Sequence, residues 1–68
     1  MKRIFVNDAP RPMPAEATLS ALARELALEG RKGVAAAVNG SVVPRAEWAS
    51  RALGDSDRVL VIQATQGG

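Results

Sequence analysis

The last three residues, Gln66-Gly67-Gly68, hold the group in this sequence best suited to do chemistry. Two consecutive glycines have no Cβ, so they can lie in a slot too narrow for any other residue and adopt whatever φ that slot demands. As a chain end, Gly68 offers an α-carboxylate, whose reference pKa of about 3.5 leaves it ionised at neutral pH. Such a carboxylate can attack the α-phosphate of a nucleotide held by a partner enzyme. The acyl-adenylate formed is a good electrophile for sulfur or for an amine. On this reading the protein supplies a handle and a substrate, and the partner supplies the catalysis.

The remaining side chains offer little competition. There is no cysteine and no histidine, which removes disulfides, thiolate sites, the commonest general base and the commonest metal ligand. Ser20, Ser41, Ser50 and Ser56 have no histidine to activate them, and no G-x-S-x-G elbow surrounds any of them. Asp55 and Asp57 are close in sequence, but two carboxylates beside Arg58 in a Gly54-Asp55-Ser56-Asp57 loop read as turn-formers, because a metal needs more oxygen ligands than gather there. Gly30 and Gly33 lack the lysine and spacing of a phosphate-binding loop. Nine basic and seven acidic residues give a net charge of only +2, and Phe5 and Trp48 are the only aromatics, so a nucleic-acid partner is not expected. No apolar run approaches the ~20 residues that span a bilayer, and Met1-Lys2-Arg3 leads into a short strand with no secretory segment. The expectation is a cytoplasmic protein that is no enzyme, touches no membrane and binds no cofactor or metal of its own.

A chain of 68 residues has room for one small core, and 13 of its residues are alanine. Lys2 to Asn7 reads as a strand, with Ile4 and Val6 on one face and Arg3 and Phe5 on the other. Asn7-Asp8 is a turn signal. Pro10, Pro12 and Pro14 follow at a spacing of two, so their missing donors lie along one edge. That predicts a hairpin whose second strand is an outer strand with a blunted edge, a polyproline-like loop being the alternative. Thr18 fits a helix N-cap, and Leu19, Leu22, Ala23 and Leu26 share one stripe at ~100° per residue, with Ser20, Ala21 and Arg24 facing away. Gly30 suits the residue just past the helix, with Arg31 and Lys32 at its negative end; Leu28 lies off the stripe and is expected to close the last turn or be partly exposed.

Val34 to Val38 and Ser41-Val42-Val43 flank Asn39-Gly40, the strongest short-range hairpin signal because a type I′ turn needs positive φ twice. The alanines of the first run also suit a helix, but Gly33 and the Asn-Gly turn favour a strand. Pro44 ends the hairpin, and Ala46 to Arg51 predicts one helical turn that places Trp48 as a lid on the core. Arg58 to Thr65 is the strongest strand, apolar on both faces, and suits a central position parallel to the first. A mixed four- to five-stranded sheet half wrapped around one α-helix, with a short helical turn near Trp48, is an α+β fold of β-grasp, ubiquitin-like architecture. It divides into a domain over 1–64 and a flexible tail over 65–68. If Val59 and Val61 point inward with Ile4 and Val6, then Leu60 and Ile62 point outward beside Phe5. These three form an apolar partner-binding patch, and Arg58 adds electrostatic orientation.

Over nearly its whole length the chain resembles the ThiS family of thiamine-biosynthesis sulfur carriers. The residues that carry the likeness are Val38-Asn39-Gly40-Ser41-Val42-Val43-Pro44-Arg45, then Glu47-Trp48-Ala49, and the ending Gln63-Ala64-Thr65-Gln66-Gly67-Gly68. Asp55-Ser56-Asp57 matches the family's acidic loop, although a glycine usually stands where Ser56 is. The terminal Gly-Gly is shared with the molybdopterin synthase small subunit and with ubiquitin-like modifiers, which are the alternative functions; Val43-Pro44-Arg45 with Trp48, and the short length, favour the thiamine branch. The resemblance implies that an adenylating enzyme related to ubiquitin-activating E1 enzymes (ThiF-like) uses ATP and magnesium to adenylate Gly68, with Gly67 and Gln66 threading into it. Sulfur from cysteine, relayed by a cysteine desulfurase, then makes a thiocarboxylate, and a thiazole synthase (ThiG-like) takes that sulfur. Between these encounters the carrier is expected to be a monomer.

Overall fold

The computed structural model describes residues 2–28 and 30–63. Its elements run β1 (Arg3–Val6), β2 (Ala9–Pro12), α1 (Leu19–Glu25), β3 (Val34–Val38), β4 (Ser41–Val43) and β5 (Arg58–Gln63), with a short 3-10 turn over Arg45–Glu47. The five strands form one sheet in the order β2-β1-β5-β3-β4. β5 is parallel to β1 and antiparallel to β3, so the longest strand, with branched apolar side chains on both faces, takes the centre. This mixed sheet against one helix is the expected β-grasp. The proposed tail, 65–68, and Ala64 lie outside the described residues.

Both hairpins turn on an asparagine. Asn7 and Asp8 have φ of 50° and 69°, and Asn39 and Gly40 have 51° and 87°, so each pair supplies the two positive φ values of a tight hairpin turn. The proline-bearing strand β2 does lie at a sheet edge, paired only with β1. Met13 N–H donates to the Lys2 carbonyl at 3.3 Å, so alternate residues face β1, and Pro10 and Pro12 turn their donorless nitrogens to the open side. Pro14 lies beyond the strand and is buried.

The core is the inner face of the sheet closed by α1. Ile4, Leu19, Leu22 and Val38 are its largest fully buried side chains, joined by Ala23, Ala36, Val43, Val59, Leu53 and Trp48. Leu26, Leu28, Val6 and Val61 pack around it half-exposed. Trp48 is the lid foreseen. Its indole Nε1 donates to the Val43 carbonyl at 2.9 Å, and the Arg45 guanidinium lies 4.9 Å over the ring. Arg45 also donates to the Arg31 carbonyl at 2.6 Å, which ties the loop after α1 to the loop after β4. The Pro-Arg-x-x-Trp segment is thus structural: it ends β4, then covers the core's end.

The helix start is closed on every side. Thr18 Oγ1 accepts from Ala21 N–H at 3.2 Å, and the carbonyls of Arg51 and Trp48 accept from Leu19 and Ser20 N–H at 2.9 and 3.0 Å. The segment 48–53 therefore completes the first turn of α1, and an isolated bridge between Thr18 and Ala52 continues the docking.

Three details depart from the sequence expectation. Helix α1 stops at Glu25, earlier than Gly30 implied, in a Schellman arrangement: Leu28 N–H donates to the Ala23 carbonyl at 2.8 Å and Ala27 N–H to Arg24 at 3.1 Å. The left-handed residue is Ala27, with φ of 59°, because this early stop turns Leu28 back onto the core; Gly30 serves the next turn instead. Ala21, expected to face away, is buried beside Ala15 and Glu16 of the incoming connection. The helical turn near Trp48 is a 3-10 turn starting at Arg45, one residue before the expected Ala46, because Pro44 ends the strand and pre-sets the backbone.

Candidate functional site

Gln66, Gly67 and Gly68 lie outside the described residues, so the site is approached through the strand that leads to them. Period two along β5 puts Val59 in the core and Leu60 on the outer face, and Leu60 and Ile62 are 50% and 55% exposed. Register then says what surrounds them. Ala37 stands opposite both Leu60 on β5 and Val42 on β4, and Ala35 stands opposite Ile62. Two alanines between larger neighbours leave a shallow groove on β3, walled by Leu60 and Ile62 on one side and by Val42 on the other. Val42 is 75% exposed, so three branched apolar side chains meet solvent on one side of the sheet. Isolated exposed apolar residues need no explanation, but a contiguous row does.

Phe5, the third predicted member, lies across the sheet on β1, paired with Arg58. It is half-buried, because the guanidinium groups of Arg3 and Arg58 lie 5.5 and 5.7 Å from its ring centre. Arg58 also approaches Asp8 at 3.7 Å, an exposed contact that does not immobilise it strongly. The structure therefore arranges the predicted residues as an apolar groove with a cation-capped aromatic beside it. Val42, Ala35, Ala37 and Arg3 were not foreseen. Parity along Val42-Val43 carries a signal for the first; the alanines acquire meaning only through the register of β3 with both neighbours.

The other chemistry-bearing residues are committed to structure. Asp57 accepts from Gly54 N–H at 2.7 Å and from the Asn39 amide at 3.0 Å, and Asp55 accepts from Arg3 N–H at 3.1 Å. Burial pushes the Asp57 carboxyl up, but the bonds from Gly54 and Asn39 and the charge of Arg51 outweigh it and hold the group below the ordinary aspartate value. Ser56 has φ of 66°, which explains why a glycine suits its position. Ser50 donates to the Glu47 carbonyl at 3.1 Å. Among the described residues no three acidic, histidine or cysteine side chains gather to hold a metal, and no helix is long and apolar enough to cross a membrane.

A final pair of residues was read only as turn formers. Asn39 Oδ1 accepts from Arg58 N–H at 3.0 Å at the start of β5. Asn7 Oδ1 accepts from Val61 N–H at 2.8 Å, and its Nδ2 donates to the Val61 carbonyl at 3.2 Å. Both hairpin turns thus hold β5 by a side-chain amide.

Comparison with known proteins agrees with this geometry. The chain is 33% identical over 66 residues to the sulfur carrier protein ThiS of Escherichia coli K12, a match covering 97% of this chain and 98% of that one. Its fold matches the crystal structure of the thiamine biosynthesis protein ThiS from Geobacter metallireducens with a TM-score of 0.77, at 22% identity and over 97% and 99% of the two chains. The sequence pattern that defines the ThiS family matches residues 4–68, from the first buried strand residue through the two closing glycines, and the chain belongs to that family.

Proposed function

We propose that this protein is the sulfur carrier of thiazole formation in thiamine biosynthesis, and that Gly68 is its reactive residue. The observation that carries the reading is the family match, which runs through Gln66-Gly67-Gly68, the residues that follow the central strand in sequence. The cycle begins when the Gly68 carboxylate attacks the α-phosphate of ATP held with magnesium by an adenylating partner, releasing pyrophosphate. Sulfur derived from cysteine, delivered as a persulfide, displaces AMP from the acyl-adenylate to give an acyl disulfide. A thiol then reduces its S–S bond to leave the thiocarboxylate, and a thiazole synthase takes up that sulfur. Within the carrier no side chain acts as acid or base; ATP and magnesium are the partner's. The groove formed by Leu60, Ile62, Val42 and the alanines of β3, with Phe5 and Arg58 alongside, is the docking face, and Gly67 and Gln66 thread into the partner.

Incubation of the full chain with the adenylating enzyme, ATP and a sulfur source is expected to change its intact mass by one oxygen-for-sulfur exchange. Deletion of Gly68 should abolish that change and leave the far-ultraviolet circular dichroism intact. Sulfur transfer that persists after the deletion overturns the assignment. Rescue of a thiamine requirement separates this role from that of a molybdopterin-type carrier, which would rescue a molybdenum-cofactor requirement instead.

A further inference from the structure

The two hydrogen bonds between Asn7 and Val61 stand where backbone bonds would be if β1 continued. In the parallel ladder between β1 and β5, Phe5 N–H donates to the Asp57 carbonyl and Asn7 N–H to the Val59 carbonyl, both at 2.9 Å. The next rung of a parallel ladder needs a carbonyl to accept from Val61 N–H, then an N–H to donate to the Val61 carbonyl. β1 cannot supply them, because the backbone turns away at positive φ at Asn7 and Asp8. The Asn7 carboxamide carries one acceptor and two donors in a plane, as a peptide group does, and it supplies both missing partners.

We propose that Asn7 is a positioning residue for the reactive end of the chain. Its side chain extends the β1 edge by one rung, so β5 is held on its β1 side through Val61 as well as on its β3 side through Gln63. Without it, β5 loses its β1 partner after Val59, and Val61 to Gln63 hang from β3 alone. The placement of Val61 to Gln63, from which the chain runs on in sequence to Gly68, is then less defined, while the outward side chains Leu60 and Ile62 still meet the partner. This inference rests on the carrier reading above and adds a residue to it.

Asn7→Gly is the informative variant, since glycine accepts φ of 50° and only the two side-chain bonds are lost. Exchange of the Val61 amide, followed by NMR on the full chain, should accelerate roughly tenfold or more, as expected for losing two bonds of ordinary net strength. In ATP–pyrophosphate exchange with the adenylating enzyme, kcat should fall about five- to tenfold with KM for the carrier within about twofold, because docking is retained and the productively placed fraction drops. Asn7→Asp, which keeps an acceptor for Val61 N–H but loses the donor, should fall between wild type and Asn7→Gly.

Thr18→Ala removes a helix cap remote from β5 and serves as a control of similar global cost. If Thr18→Ala lowers kcat as much as Asn7→Gly does, Asn7 acts through stability alone and the proposal fails. Unchanged Val61 exchange, or unchanged kcat in Asn7→Gly, overturns it equally. Absence of exchange with the wild-type chain would instead sink the carrier reading, so the two failures are told apart.

Discussion

The two faces of the sheet are built from the same strands yet have opposite tasks. The inner face takes Ile4, Ala36, Val38, Val43 and Val59 into the core beneath α1. Alternate residues of the same strands, Ala37, Val42, Leu60 and Ile62, form an apolar outer face left to solvent, with Phe5 beside them under Arg3 and Arg58. The difference teaches that hydrophobicity alone does not locate the core in a domain this small. The helix and the Trp48 lid both sit so that one face is closed. A closed face controls stability and an open one controls association, so substitutions on the two should move different measurements.

The largest expected effect is on the closed face. Trp48→Ala or Leu22→Ala should cost about 3 kcal/mol in denaturant melts, the usual result of truncating a large buried side chain. Losses well under 1 kcal/mol at both sites would break the distinction between the faces. Next comes the open face. Leu60→Ser should leave stability within about 0.5 kcal/mol but raise KM for the carrier roughly tenfold in the activation assay, with kcat little changed. A large stability loss there would mean that Leu60 is structural. The smallest effects belong to residues on neither face. Ala27→Gly and Ser56→Gly each relieve a left-handed backbone and should each stabilise by about 0.5–1 kcal/mol, read as a higher midpoint with unchanged activation.

Most of the fold was legible because its signals are local. Period-two placement marked β1, a β-branched run apolar on both faces marked β5, Asn39-Gly40 marked the second hairpin, and the spacing of prolines marked an edge. The end of α1 was not legible, since Ala27 carries no left-handed preference and adopts that state only because Leu28 packs on the core. Ala21 was misjudged for a related reason: a helical wheel has no knowledge of the connection that passes over it. The partner-facing residues divide along the same line. Leu60 and Ile62 follow from parity within one strand, whereas the alanine groove and the Asn7–Val61 link depend on which strands become neighbours. Asn7 and Val61 are 54 residues apart in sequence, and a turn signal says nothing about so distant a partner.

The central place of β5 has a consequence for how the molecule comes into being. The hairpin of β1 and β2 and the hairpin of β3 and β4 do not pair with each other; each meets only the strand that follows both of them along the chain. The two hairpins therefore cannot join into one sheet until residues 58–63 are present. A copy that stops before residue 58 lacks the strand that joins the two hairpins, and so has no assembled sheet with which to compete for the enzymes that would charge it.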